Sequence, residues 1–183
     1  MDDRAEWVVL VDDRDRIAGT APKLEAHLRG WRHRALSVIL RDSRGRLLLQ
    51  RRARGKYHSG GLWTNACCSH PRPGETVERA AARRLFEELG IRCALLPLCV
   101  TAYRAEVGGG MVEDEVVHLF AGLYEGALHP DPAEVEGFVW MTPEEVQAAV
   151  ARDPESYSVW FRTYLQRLWP ELTSDSCWTR LAA

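Results

Sequence analysis

The chain has 183 residues, a length typical of one domain with a substantial core, and a formal net charge of −2 at pH 7. That charge gives no overall basic field, so nucleic acid is not indicated as a partner. The N-terminus is acidic and no apolar run approaches about 18 residues, so neither a signal peptide nor membrane insertion is predicted. Five cysteines, an odd number, favour reduced thiols in a cytoplasmic protein.

The N-terminal third predicts strands separated by polar turns. The run WVVLV predicts a strand over 6–12 with a hairpin partner near 16–20. Residues 23–30 predict a short helical turn or loop. Two apolar runs joined by an Asp-Ser-Arg-Gly turn predict a second hairpin over 35–53.

The histidines are interpreted first as structural residues. His27 and His33 precede the second hairpin, and a lone histidine is more often a hydrogen-bonded structural residue than a ligand. Neither therefore indicates a site by itself. His58, His118 and His129 have no partner at a meaningful spacing and are interpreted as structural.

Four cations lie within six residues at the end of the second hairpin: Arg51, Arg52, Arg54 and Lys56. Such a run is either a solvated strand end or an anion site. Its position just before a loop that carries reactive side chains favours the anion site.

That loop spans residues 63–74 and carries a thiol next to an imidazole. Cys68 lies two residues before His70, and two prolines and a glycine follow directly. The pattern predicts a turn that presents reactive side chains.

An Ala-rich pattern predicts a helix over 76–89, ended by Gly90 in a left-handed cap. Arg84 and Glu88 are four residues apart and therefore share one face of it. They are either a surface ion pair, worth about 0.5 kcal/mol, or the phosphate-binding guanidinium and cation-binding carboxylate of a metal–diphosphate site.

The C-terminal half predicts two strands, over 95–106 and 112–124, joined by a glycine turn. Strand geometry puts Glu113 and Glu115 on one face and Asp114 on the other. Two carboxylates facing the same way either lie on an exposed strand face or are compensated by a divalent cation.

Three further elements complete the chain. We predict a strand over 136–141, a helix that starts with Thr142 as N-cap, and a last helix over 158–168. The last helix carries Trp160 among aromatic residues whose spacing is typical of core or lid. The tail beyond Pro170 has no interpretable pattern.

Several of these residues together resemble the Nudix box, G-x5-E-x7-R-E-U-x-E-E-x-G-U with U aliphatic: Glu75, Arg83, Leu85, Glu87, Glu88, Gly90 and Ile91. Ser69 stands where the first glycine is expected, and Arg84 stands where the box has its first helix glutamate. In Nudix hydrolases that glutamate belongs to the metal-holding cluster, so its replacement argues against ordinary hydrolysis. With W-T-N-x-x-C-x-H-P over 63–71, the pattern resembles the type I isopentenyl-diphosphate isomerases.

The resemblance implies the fold and the site. The fold would be α/β (α+β), a Nudix-type α/β/α sandwich with a mixed β-sheet. Catalysis would use Cys68 on one side of the substrate and Glu115 with Tyr103 on the other. A transition metal, Mn²⁺ or Zn²⁺, would be bound by His27, His33, His70, Glu113 and Glu115. Mg²⁺ would bridge Glu88 and the diphosphate, and the substrate contacts would be Lys23, Arg52, Lys56, Arg84 and Trp160.

The implied reaction moves the double bond of isopentenyl diphosphate to give dimethylallyl diphosphate, in a monomer whose partner is this small molecule. We expect one domain over 1–183, with a core over about 7–169 and a C-terminal tail over 170–183. The C-x-H spacing selects Cys68 as the reactive thiol and leaves the other cysteines as inert: Cys67, Cys93, Cys99 and Cys177. Two alternatives stay open, a Nudix hydrolase of a nucleoside diphosphate derivative and a catalytically silent Nudix-like module.

Overall fold

The computed structural model describes residues 6–174 together with Trp178 and Leu181. Its strands are β1 Trp7–Val11, β2 Ile17–Pro22, β3 His33–Arg41, β4 Leu47–Arg52, β5 Trp63–Asn65, β6 Cys67–Ser69, β7 Leu96–Gly108, β8 Met111–Leu123 and β9 Val135–Met141. Its helices are α1 Lys23–Arg29, α2 Val77–Leu89, α3 Pro143–Arg152, α4 Val159–Arg167 and α5 Trp169–Thr173, with a 3₁₀ turn at Pro154–Ser156. None of the helices in the described part of the chain is long and apolar enough to cross a membrane.

Strand β3 is the centre of a mixed sheet. It pairs in parallel with β8 and antiparallel with β1, β4 and β6. β4 continues the sheet through β5 and β9, and β8 pairs antiparallel with β7. The parallel register sets His33 opposite Glu115, and the antiparallel register sets Ser37 opposite Cys68. One strand therefore aligns the metal-ligand candidates with the thiol.

Helices cover both faces of this sheet. Successive side chains of β3 point to opposite faces, and both faces carry apolar residues that helices bury. Ala35 and Ile39 pack on the side of α3 and α4. Leu36, Val38 and Leu40 pack on the side of α2. This two-sided core confirms the predicted α/β/α sandwich with a mixed sheet.

Local sequence signals set the helix ends as predicted. Thr142 caps α3 with a complete capping box that includes Glu145. Thr76 accepts a hydrogen bond at the start of α2, and Gly90 ends that helix with a φ of 69°.

Two parts of the chain differ from the sequence predictions. The loop predicted over 63–74 contains the short strands β5 and β6, because their backbone groups find partners on β4 and β3, far along the chain. The start of the predicted tail, at residue 170, lies inside a helix: α5, Trp169–Thr173, follows α4 after one residue. Cys177 and most of the remaining tail lie outside the described residues, so the predicted domain boundaries stay predictions.

Candidate active site

One cavity brings together the residues predicted for the site. Its lining includes these members: Lys23, Arg52, Lys56, Cys68, His70, Arg84, Glu88, Tyr103, Glu113, Glu115 and Trp160. His27 and His33 are fully buried beside it, within reach of His70 and Glu115. Cys68, His70, Glu113 and Glu115, which are far apart in sequence, meet here because β3, β6 and β8 are neighbours in the sheet.

Three potential metal-binding atoms converge between β3, β6 and β8. His70 Nε2 lies 2.9 Å from Glu115 Oε1 and 3.2 Å from His33 Nε2, and His33 Nε2 lies 3.3 Å from Glu115 Oε1. Ligands bound at about 2.0–2.1 Å from an ion are about 2.9–3.4 Å from one another. The observed spacing therefore fits a common ion, and His27 completes this group of four.

Hydrogen bonds outside the cluster fix which ring nitrogens face it. Nδ1 of His27 lies 2.8 Å from the Lys23 carbonyl, and Nδ1 of His33 lies 2.7 Å from the Trp31 carbonyl. Because a carbonyl only accepts, each Nδ1 carries the hydrogen and each Nε2 presents a lone pair. His33 Nε2 and Glu115 Oε1 are then two acceptors facing each other, an arrangement that a cation stabilises.

Burial keeps two of these imidazoles, His27 and His70, neutral. Desolvation lowers the pKa of His27 to about 3 and that of His70 to about 4. Neutral imidazole is the form that binds a metal ion. The donor set, three imidazoles and a carboxylate, suits a divalent transition metal, and the chain thus has a His/Glu group that can hold one.

The two glutamates of β8 share one tyrosine. The Tyr103 hydroxyl lies 2.6 Å from Glu113 Oε2 and 2.8 Å from Glu115 Oε2. Asp114 points to the opposite face, where it accepts hydrogen bonds from Arg32 and Arg104. This confirms the predicted alternation. Burial, and next the charge of Glu115, raise the pKa of Glu113 well above its usual range.

The hydrogen bonds around Cys68 orient its thiol. Asn65 Nδ2 donates to the carbonyls of Val38 and Cys67, so Asn65 Oδ1 must face Cys68 Sγ, 3.0 Å away. Ser37 Oγ lies 3.2 Å from the same sulfur. Burial raises the pKa of Cys68 to about 12, so the group is a protonated thiol at neutral pH.

The opposite part of the cavity is rich in buried charge. Lys56 pairs with Glu134 at 2.9 Å, and Arg84 pairs with Glu88 at 2.9 Å and with Glu134 at 3.3 Å. Glu88 also accepts a hydrogen bond from Gln50 at 2.9 Å. The predicted Arg84–Glu88 pair is thus present, and it is buried in the cavity wall rather than on the surface.

Trp160 closes the cavity from α4. Its side chain is buried, and the Arg52 guanidinium carbon lies 5.2 Å from the centre of its ring. The helix predicted from aromatic spacing therefore contributes to the core and to the cavity at once.

His58, interpreted from the sequence as structural and without a partner, has a partner in the cavity. Its side chain lines the cavity, with Nε2 3.3 Å from Glu113 Oε1. The available signal was its position between Lys56 and Trp63, inside the segment to which the resemblance already assigned site residues. His118 also has a partner, Asp15, 2.8 Å away, but this pair lies elsewhere on the sheet. Glu134 was not predicted as a site residue. It enters the cavity because the chain folds back before β9.

Comparison with known proteins identifies the family. The NUDIX domain model matches residues 31–163. An isopentenyl-diphosphate Delta-isomerase from Streptomyces coelicolor is 49% identical over 173 residues, covering 91% of this chain and 87% of that protein. Isopentenyl-diphosphate Delta-isomerase 2 from Aromatoleum aromaticum is 47% identical over 163 residues, covering 89% and 86%.

The chain belongs to the isopentenyl-diphosphate Delta-isomerase family. The fold agrees with this membership. A crystal structure of a Deinococcus radiodurans protein superposes with a TM-score of 0.73 and 21% identity, covering 88% of this chain and 98% of that one. At this identity the likeness concerns the fold alone. It agrees with the Nudix fold that was predicted from the sequence.

Proposed function

We propose that the chain interconverts isopentenyl diphosphate and dimethylallyl diphosphate. The observation that carries the proposal is that a neutral thiol, Cys68, and a carboxylate–tyrosine group, Glu115 with Tyr103, line one cavity with buried cations. Family membership supports the same reaction. The alternative, hydrolysis of a nucleoside diphosphate derivative, is disfavoured because Arg84 replaces a glutamate of the metal-holding helix.

The reaction needs two proton-handling groups. One proton is added at the terminal alkene carbon of isopentenyl diphosphate, and another is removed from the carbon between the alkene and the diphosphate-bearing carbon. No net charge is gained or lost. An unactivated alkene is a poor base, so its protonation requires a strong acid in a desolvated site. We assign Cys68 to one side of the substrate and Glu115 with Tyr103 to the other, each group donating in one direction of the reaction.

The metal-binding residues would place a cation next to the proton-handling group Glu115. We propose that His27, His33, His70, Glu113 and Glu115 hold one Mn²⁺ or Zn²⁺ ion. Its positive charge would make a ligated acid group a stronger acid than the free group. The Tyr103 hydroxyl, hydrogen-bonded to both glutamates, keeps the reacting carboxylate oriented toward the cavity.

The charged part of the cavity fits the diphosphate. We propose that Lys23, Arg52, Lys56 and Arg84 neutralise it, and that Glu88 holds a bridging Mg²⁺. Although Arg84 and Gln50 bond to Glu88, a carboxylate has further lone pairs for a cation. Trp160 would offer its π face to the cationic carbon, an interaction worth about 2 kcal/mol when desolvated. The monomeric state and cytoplasmic location stay predictions.

The test is NMR of isopentenyl diphosphate with metal-loaded protein and Mg²⁺ in D₂O, with phosphate release from nucleoside diphosphates assayed in parallel. We expect deuterium-labelled dimethylallyl diphosphate without phosphate release. Glu115→Gln should abolish the conversion while the protein stays folded. Nucleotide hydrolysis without isomerisation would establish the alternative.

A further inference from the structure

His58 is a buried imidazole of the centre to which the family resemblance assigns no role. Its side chain is only 4% exposed, and Nε2 lies 3.3 Å from Glu113 Oε1. On the other side of the ring, Nδ1 lies 3.2 Å from the hydroxyl of Ser59. The ring therefore presents Nε2 to the carboxylate and has a separate hydrogen-bond partner for Nδ1, as metal-binding histidines do.

The pair of His58 and Glu113 repeats the geometry of His33 and Glu115. The distance from Nε2 to the carboxylate oxygen is 3.3 Å in both pairs. The Tyr103 hydroxyl joins the pairs by bonding to the remaining oxygen of each glutamate. Since 3.3 Å falls within the separation of two ligands of one ion, both pairs have metal-binding geometry.

His27 lies between the two pairs. Its ring centre is 4.8 Å from that of His33 and 5.4 Å from that of His58. The ligand atoms of His27, His58 and Glu113 all lie within 4.8 Å of one another. Because Nδ1 of His27 is used by the Lys23 carbonyl, His27 offers a single lone pair and binds a single ion. His27 is common to both groups, so an ion bound by His27 lies beside His58 and Glu113 as well as beside His33, His70 and Glu115.

We propose that His58 is a further ligand of the transition-metal ion, binding through Nε2 beside Glu113. The inference rests on the metal centre of the proposed function, but it concerns the affinity and coordination of the ion and not the reaction. A fourth imidazole adds a borderline-soft donor that Mg²⁺ does not favour. It therefore increases the preference of this centre for a transition metal.

The first test measures Zn²⁺ binding to metal-free, full-length protein by competition with a chromophoric chelator. We expect one ion per chain in the wild type and in His58→Phe, with an affinity 10- to 100-fold lower in the variant, the range typical for loss of a metal-site partner. Phenylalanine keeps a ring packed near His27 and Trp160, so packing is largely preserved. His58→Ala serves as a second variant, and thermal unfolding of the metal-free proteins verifies that both are folded.

The matched control is His118→Phe, which removes an imidazole that pairs with Asp15 outside the centre. It should leave Zn²⁺ affinity unchanged. Equal affinity of His58→Phe and wild type for Zn²⁺ would overturn the proposal.

The second test separates a ligand from a residue that only orients Glu113. Pulsed EPR of Mn²⁺-loaded protein counts the imidazole nitrogens coupled to the ion. We expect one fewer in His58→Phe than in the wild type; an unchanged count would overturn the proposal even if affinity fell. Neither the Zn²⁺ affinity nor the EPR nitrogen count requires turnover. A wild-type protein that binds the ion through His58 but does not isomerise the substrate would therefore refute the proposed function and leave the role of His58 intact.

Discussion

At the residue scale, strand geometry separates two adjacent thiols that sequence alone presents together. Cys68 faces the cavity beside Ser37, whereas Cys67 is fully buried on the other face of β6, in the core formed with α2. Burial raises the pKa of both thiols, so neither is a thiolate at neutral pH. The difference between them is therefore access to the substrate and not acidity.

Replacing each thiol by alanine tests this assignment. Cys68→Ala should lower the isomerisation rate by at least the 10²- to 10⁴-fold typical of a lost general acid or base, with the fold intact. Cys67→Ala should retain most of the rate and lower the free energy of unfolding by about 1 kcal/mol. The D₂O NMR assay and urea unfolding measure the two effects. A severe loss of rate in folded Cys67→Ala would show that the wrong thiol was assigned.

At the element scale, the connection from β8 to β9 completes the site. The amides of His129 and Asp131 donate to the carbonyls of Leu89 and Glu88, at 2.9 and 3.0 Å, where α2 ends. This attachment carries Glu134 into the cavity, against Lys56 and Arg84. The connection therefore stabilises the end of the helix and supplies a counter-charge that the diphosphate would compete with.

Glu134→Gln should consequently strengthen binding of pyrophosphate. A negative charge about 6 Å from an anion raises the free energy of binding by about 2–3 kcal/mol at an effective dielectric constant near 20. We expect removal of this repulsion to outweigh the loss of positional order in Lys56 and Arg84, which Glu134 holds in place. The ligand-free variant should be less stable, because Lys56 and Arg84 lose a buried partner. Thermal unfolding with and without Mg²⁺-pyrophosphate measures both effects, and weaker pyrophosphate binding by the variant would contradict the prediction.

The close approach of this connection to α2 depends on Gly90. Its φ is 69°, and a Cβ there would lie 2.9 Å from the Cβ of His129. Gly90→Ala should therefore lower the free energy of unfolding by more than the roughly 1–2 kcal/mol of the left-handed conformation alone. Gly74→Ala is the matched control, since its φ is 80° and nothing lies within 4 Å of the added Cβ. Equal losses in urea unfolding would show that the contact with His129 is unimportant.

At the scale of the whole molecule, paired carboxylates determine how stability depends on pH. The hydrogen bond from Arg83 is the main cause that lowers the pKa of Glu75 below its usual 4.5. Hydrogen bonds from Arg46 outweigh burial and lower the pKa of Asp42. A carboxylate whose pKa is lower in the folded than in the unfolded state stabilises the fold above its unfolded pKa. That contribution is lost as the pH falls through the folded value.

We therefore expect the free energy of unfolding to be constant with respect to these groups above about pH 5 and to fall progressively below it. Glu75→Gln should be less stable than the wild type at neutral pH and should show a shallower decline in acid. Urea unfolding at several pH values between about 6 and 3 measures the slopes. Parallel slopes in the two proteins would exclude Glu75 as a contributor.

Most local structure follows from the sequence because it depends on neighbours along the chain. The caps at Thr142 and Gly90 and the alternation of Glu113 and Glu115 need only local backbone geometry. The spacing of Cys68 and His70 carried the family resemblance, and with it the fold.

The tertiary structure decided which side chains meet. Ser37 reaches the cavity because β3 pairs with β6, and Glu134 reaches it because the connection before β9 folds back on α2. His58 reaches it from the connection between β4 and β5. Burial also changed the chemistry, because it lowers the pKa values of His27 and His70 and raises that of the Cys68 thiol. Thus the sequence was sufficient to predict the fold, the family and most of the residues that line the cavity. Packing determined their distances, their pKa values and the additional residues, because these depend on contacts between segments far apart in the chain.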